Sequence, residues 1–424
     1  MTTGAKTALS RSARALGAAA LASLALGIGA TSAGANSARP SSATHHRQHS
    51  YRVYQILSGA SLSHTFTASG ATTPTTAPLT DPDDITRMGD KVFVGFQNGV
   101  GPQGQASPDG NVSSTVVEMS LSGDPIAQWD IVGKCDGLTA NPHGGYVIAT
   151  VNEDANSSLY TIDPRASSAS QVQHFAYSEA LPHNGGTDAI SFFHGHILIS
   201  ASAPGTTGTV TAATSPAVYE VVLDWSTNVA AVSPLFFDGS LAIVANVDNP
   251  QAGQSTTLAL TDPDSNEVVP RSSVRFGGDF MLDSQGDLLQ IYVRHAARPD
   301  QSLSVLQLSQ SIDDTAWPSA PRGRLYATDS TDDSVDVVVG PWRVGIPIVA
   351  VTPCGSNAAP ASCPAPPTYP ANYLGVENPW TGNIQQLNVT GATFTPQGGL
   401  LFVAPRHGHC SRHRHHGRHH RSSR

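Results

Sequence analysis

The sequence predicts an all-β protein, a β-propeller of about seven four-stranded blades, with six as the alternative. Three observations predict it. Only 13% of the 424 residues are charged, while Gly (39) and Pro (30) are plentiful, a mixture that suits many short strands and turns better than long helices. An Asp-led strand pair recurs every 50 residues or so. Strands near the N-terminus also match those that the last repeat lacks. With 39% hydrophobic residues the chain can bury a large core, which excludes wholesale disorder.

The repeat carries most of the argument. Asp84-Ile85-Thr86 precedes "RMGDKVFVGF", Asp136-Gly137-Leu138-Thr139 precedes "ANPHGGYVIAT", and Asp188-Ala189-Ile190-Ser191 precedes "FFHGHILIS". Each Asp opens an apolar strand, followed by a Gly-containing turn and a second strand of β-branched and aromatic residues. Weaker copies begin at Asp238, Asp279 and Asp314, and a copy without the Asp begins at Gly391. Third strands follow in most copies ("STVVEMSL", "SSLYTIDP", "PAVYEVVLD"), and "IAQWDI" is a fourth. Four strands every 40–50 residues is the pattern of a propeller blade, whose two apolar faces only neighbouring blades can bury. The last copy stops after two strands. "VYQILSGASLSHTF" (53–66) resembles "VVEMSLSGDPIAQWDI" (116–131), so residues 51–67 are expected to complete the final blade. Insertions interrupt the pattern at 100–112, 204–216 and 352–372.

The strand pair with its Gly turn and its "VVEMSL" or "LYTIDP" resembles the NHL and YVTN-type propeller repeats. Their superfamily also holds lactone-hydrolysing and streptogramin-lyase-like propellers. The resemblance covers roughly 51–405 and lies in the repeat pattern. It implies a propeller, and either a binding module or a metal-dependent lactonase or lyase. The layout is also similar to that of secreted actinobacterial proteins, which implies no mechanism.

The ends of the chain differ from its body. Lys6, Arg11 and Arg14, an apolar stretch from Ala15 to Ala30, and Ala33-Gly34-Ala35 read as a Sec-type signal peptide over 1–35. Residues 36–50 then form a flexible segment, 51–405 the propeller, and 406–424 a disordered His/Arg-rich tail. A secreted, extracellular, monomeric protein without a membrane span is expected. The formal charge of −9 divides into +3 over 1–35, −18 over 36–405 and +6 over 406–424. An acidic body repels phosphate, which argues against a nucleic-acid partner. Cys354 and Cys363 are spaced to close a disulfide in an oxidising compartment. Cys135 and Cys410 either pair or stay free.

Candidate chemistry falls in three groups. Asp84, Asp136, Asp188 and Asp279 would converge on the channel if each leads an inner strand. They are read either as blade-junction residues bonding backbone N–H groups or as a ring that holds a channel Ca²⁺ or Mg²⁺ or receives a polar ligand. His183 beside Asp188 is the candidate for a general base, and His194-Gly-His196 for a metal-binding turn. The acidic stretches Asp81/Asp83/Asp84, Asp262/Asp264/Asn266/Glu267 and Asp329/Asp332/Asp333 are read as β-turns with solvated carboxylates. In the tail, His407, His409, His413, His415, His416, His419 and His420 are candidate ligands for Zn²⁺, Ni²⁺ or Cu²⁺, and its six Arg suit an anionic cell-wall polymer. Signatures of the common hydrolases and nucleotide-binding proteins are missing. The first functional reading is therefore a non-catalytic ligand- or partner-binding module. The alternatives are the channel-metal lactonase or lyase, and a metal-binding or wall-docking protein acting through its tail.

Overall fold

Strands of β-branched and aromatic residues fold here into antiparallel sheets whose two faces are both apolar. Val147 and Ala149 point to one side of their strand and Ile148 to the other, and all three are fully buried. The computed structural model describes residues 50–154, 156–181, 186–202, 215–353 and 371–405, all within the unit His49–Arg424. The signal peptide, the tail histidines, His183 and the Cys354–Cys363 pair lie outside the described residues.

Blade one is built from Pro82–Met88, Lys91–Phe96, Ser113–Ser120 and Pro125–Val132. Blade two uses Cys135–Asn141, Tyr146–Val151, Ser158–Ile162 and Val172–Tyr177. Blade three uses Ile190–Phe193, His196–Ser200, Pro216–Asp224 and Val229–Phe237. The outer strands of blades two and three pair briefly in parallel, at Ala176 with Val229 and Tyr177 with Ala230. Blade four uses Pro263–Val268, Phe280–Ser284, Leu289–Arg294 and Ser302–Gln307, and two short strands, Leu241–Val244 and Ser255–Thr257, extend its outer edge.

The last two blades are interleaved. Blade five contains Ile312–Ala316, Ile348–Val351, Tyr373–Glu377 and Ile384–Gln386. Between its first and second strands the chain leaves to form Arg324–Asp329 and Ser334–Val339, the middle of blade six. The inner strand of blade six is Leu400–Val403, and its fourth is the N-terminal Tyr51–Ser58, with Val389–Gly391 parallel outside it. Three distant segments thus share one sheet.

Six inner strands form a closed cycle of neighbours, from Pro82–Met88 through those of blades two to six and back. Six apolar clusters match the six interfaces. The one between blades six and one, for example, joins Leu57, Tyr326 and Val335 to Val92, Phe96 and Val117. The protein is therefore a β-propeller whose described residues form six blades, the alternative count, and not seven. The copy at Asp238 begins no blade, because it leads into the edge strands 241–257. Asp279 precedes a second strand, not an inner one. "RGRLYATD" belongs to blade six and not to the blade that Asp314 opens. Of residues 51–67, only Tyr51–Ser58 joins blade six, since Ser63–Phe66 pairs with Thr75–Pro78 in a separate hairpin. Cys135 is a buried free thiol packed between blades one and two.

Candidate functional site

A register slip in the inner strands builds the site. The inner strand gains one residue over its neighbour between Pro82 and Ile85, Cys135 and Gly137, Pro263 and Asn266, and Ile312 and Asp314. In blade three, the Asp188 N–H donates to the Ser200 carbonyl while the Ser200 N–H donates to the Ala189 carbonyl, both at 3.0 Å, so two residues again face one. A bulge re-aims a side chain that strict alternation would bury against the next sheet. The bulged positions align Asp83, Asp136, Asp188, Asp264 and Asp313, one from each of five blades. Blade six supplies Gly398 at the corresponding place, with φ of +71° and its N–H given to the Asp313 carboxylate.

These five aspartates line one cavity of about 310 Å³, together with Asp84, Glu267 and Asp314. Arg87 is the one Arg or Lys in that lining. Lys134 reaches the ring from behind, its Nζ 2.7 Å from Asp136 Oδ1 and 2.7 Å from Glu153 Oε2. Asp136 Oδ1 also accepts from Gln97 Nε2 at 2.9 Å, whereas its Oδ2 is buried without a hydrogen-bond partner. Asp313 accepts from Gln285 Nε2 at 2.9 Å, and the Asp264 carboxyl lies beside it.

Asp84 and Asp314 do different work. Asp84 accepts the N–H of Ile85 at 2.6 Å and that of Leu138, in the next blade, at 2.5 Å. Asp314 repeats this with Thr315 at 2.6 Å and Leu400 at 2.5 Å. Both staple neighbouring inner strands through backbone donors that would otherwise be orphaned.

The ring is short of positive charge, and its protonation reflects that. Burial, followed by repulsion from neighbouring carboxylates, holds Asp83, Asp188 and Asp264 well above the usual range. Burial lifts Asp136 to about 6 against the pull of Lys134. It lifts Asp84 to about 7 despite two backbone donors, and Glu267 to about 8.

Of the candidates named from the sequence, the structure brings Asp84, Asp136 and Asp188 to the cavity. Asp279 stands away from it, half-buried and influenced by Arg294 and His295. In the turn 193–196, His196 Nδ1 pairs with Glu220 Oε1 at 2.5 Å. Two of the three acidic stretches are not turns: Pro82–Met88 and Pro263–Val268 are inner strands, and only residues 330–333 form a tight connection. Asp83, Asp264, Glu267 and Asp313 were missed as a set. The matching "TDPD" at 80–83 and 261–264 was the available signal.

No protein-family model matches the chain, and no curated relative is found. Solved structures similar to it include the periplasmic gluconolactonase of Pseudomonas aeruginosa (12% identity, TM-score 0.38, covering 84% of this chain and 99% of that one). A luciferin-regenerating enzyme is similar at 12% identity and TM-score 0.35, covering 64% and 83%. The propeller domain of Cps50 (Swd1) from Myceliophteria thermophila is similar at 11% and 0.35, covering 81% and 98%. At these values the likeness carries neither an activity nor a ligand, and the propeller assignment rests on the closed ring. Fold and site together define a β-propeller, six-bladed among the described residues, with an acidic channel. No helix among the described residues is long and apolar enough to cross a membrane.

Proposed function

We propose that the channel is a binding site for an organic cation, a ligand carrying one or more ammonium or guanidinium groups. The observation that supports this is five aspartates turned by bulges into one cavity with a single buried lysine beside them. Lys134 is an ammonium already held at the edge of the ring, by Asp136 within it and Glu153 outside it, each at 2.7 Å. A second amine entering from the cavity would meet Asp83, Asp188, Asp264 and the unpartnered Asp136 Oδ2. Size favours an organic ligand over a bare ion: the cavity holds a small molecule, and among the described residues no three His, Cys, Asp or Glu are grouped to hold one metal. A Sec-type signal peptide over 1–35 would put this binding outside the cytoplasm.

Calorimetric titration with spermidine, arginine and glucosamine at pH 8 tests the reading. Binding of one of them, weakened at least tenfold by Asp188→Asn, is the expected result. Absence of heat with all three, or binding indifferent to Asp188→Asn, overturns it.

A second reading is hydrolytic. Asp264 and Asp313 stand side by side in the ring, Asp264 held well above the usual carboxylate range by burial, and such a pair can act as a general acid and its partner base. Lactone or ester turnover abolished by Asp264→Asn would favour it over simple binding.

A further inference from the structure

A second carboxylate pair lies in the seam between blades four and five, and the channel reading does not use it. Asp283 belongs to Phe280–Ser284 in blade four, and Glu377 closes Tyr373–Glu377 in blade five. Asp283 is 0% exposed and Glu377 1%. All four carboxyl oxygens are buried with no hydrogen-bond partner in the protein. The groups that act on Asp283 are Asp313, Glu377, Asp262 and Asp287, every one acidic. Gln290 faces Asp283 across the strand pair; one N–H of its Nε2 goes to Thr315 Oγ1 at 3.1 Å, and the other is the amide donor nearest Glu377. Gln290 Oε1 accepts from the Tyr292 hydroxyl at 2.7 Å. Gln290, Tyr292 and Thr315 are themselves buried.

Two ionised carboxylates in a dry seam with one amide N–H nearby are untenable, and two neutral ones leave O–H groups without acceptors. Water alone would not cancel the charge. A hard divalent cation does both jobs, since its charge balances the pair and it draws on oxygen lone pairs. We propose that this seam holds a structural Ca²⁺, with Asp283 and Glu377 supplying the charge and Gln290 Oε1 and Thr315 Oγ1 the neutral oxygens. Ca²⁺ fits better than Mg²⁺, which demands octahedral geometry and keeps several waters that a sealed interface does not offer. The ion enters as the blades pack, so it is bound on folding.

The test uses the full chain, refolded with Ca²⁺ or with EDTA. One tightly held Ca²⁺ per chain by elemental analysis is expected, with a melting temperature several degrees higher than in EDTA. Glu377→Gln should lose the ion, whereas Asp188→Asn in the channel should keep it. Loss in Asp188→Asn with retention in Glu377→Gln would put the ion in the channel and overturn the proposal. Absence of bound Ca²⁺ with no response to EDTA would overturn it as well. Should Glu377→Gln fail to fold, Tb³⁺ luminescence gives an independent readout on the wild-type chain. Sensitised emission that Ca²⁺ displaces and Tyr292→Phe weakens supports the site, and its absence refutes it.

Discussion

The Asp84 carboxylate in blade one accepts the Leu138 N–H of blade two at 2.5 Å, across the interface between their inner strands. Replacing Asp84 by Ala strands that N–H and the N–H of Ile85. The expected loss is about 2–3 kcal/mol, from buried donors left unpaired. Asp314→Ala should cost about the same at the blade five–six interface, where Leu400 takes the place of Leu138. Chemical denaturation of the two variants checks both values. Equal stability to wild type would show that water replaces the carboxylate at no cost.

Stability should fall as pH rises. Asp136 near 6, Asp84 near 7 and Glu267 near 8 all titrate above their values in an unfolded chain. A carboxyl whose folded pKa is raised stabilises the fold fully below its unfolded pKa and loses that contribution as pH climbs through the folded one. The melting temperature should therefore decline from pH 5 to pH 8.5, most steeply below about pH 6, where all three carboxyls are protonated in the folded chain alone, and more gently as each ionises. An amine ligand should bind more tightly over the same interval, because it meets more ionised carboxylates. A melting temperature that rises over this interval would contradict the protonated ring.

Gly398 is the position where blade six yields space to its neighbours. A Cβ there would lie 2.8 Å from both the carbonyl oxygen and Oδ1 of Asp83, on a backbone with φ of +71°. Gly398→Ala should cost about 1–3 kcal/mol through strain. It should also displace Asp83 and weaken ligand binding in the channel. Titration of the variant separates the two effects, since strain alone leaves affinity unchanged.

Deletion of Tyr51–Ser58 removes the strand that covers Ser334–Val339. It also strips Val53 from the five–six interface and Leu57 from the six–one interface. An uncovered valine-rich edge is a template for pairing between molecules. The truncated chain should aggregate on refolding, as read by light scattering, while deletion of Ser63–Phe66 and its partner strand should leave blade six paired.

Local pattern revealed as much of this molecule as lies in order along the chain. Blades one to three read correctly because their strands are consecutive and each begins beside an Asp. Blades five and six did not, because alternation describes a strand without saying which sheet it enters. Asp136 and Asp188 were visible as a pair for the same reason. Asp83 and Asp264 follow proline in acidic runs that resemble turns, and only a bulge in the folded sheet turns them toward the axis. Asp279 had the right spacing and the wrong strand. The Asp283–Glu377 pair left no trace in the sequence, since its members lie 94 positions apart and meet only when two blades pack.

Blade six draws on the beginning, the late middle and the very end of the folded body. Four blades can therefore assemble while the chain is still emerging, but the circle stays open until Leu400–Val403 arrives. Throughout that interval the first strand made, Tyr51–Ser58, waits for partners more than 270 residues downstream. Early folding of a self-contained sheet around that strand would lock it away from its proper place. Correct assembly thus depends on timing: an early strand must remain unpaired until its distant partners have been made.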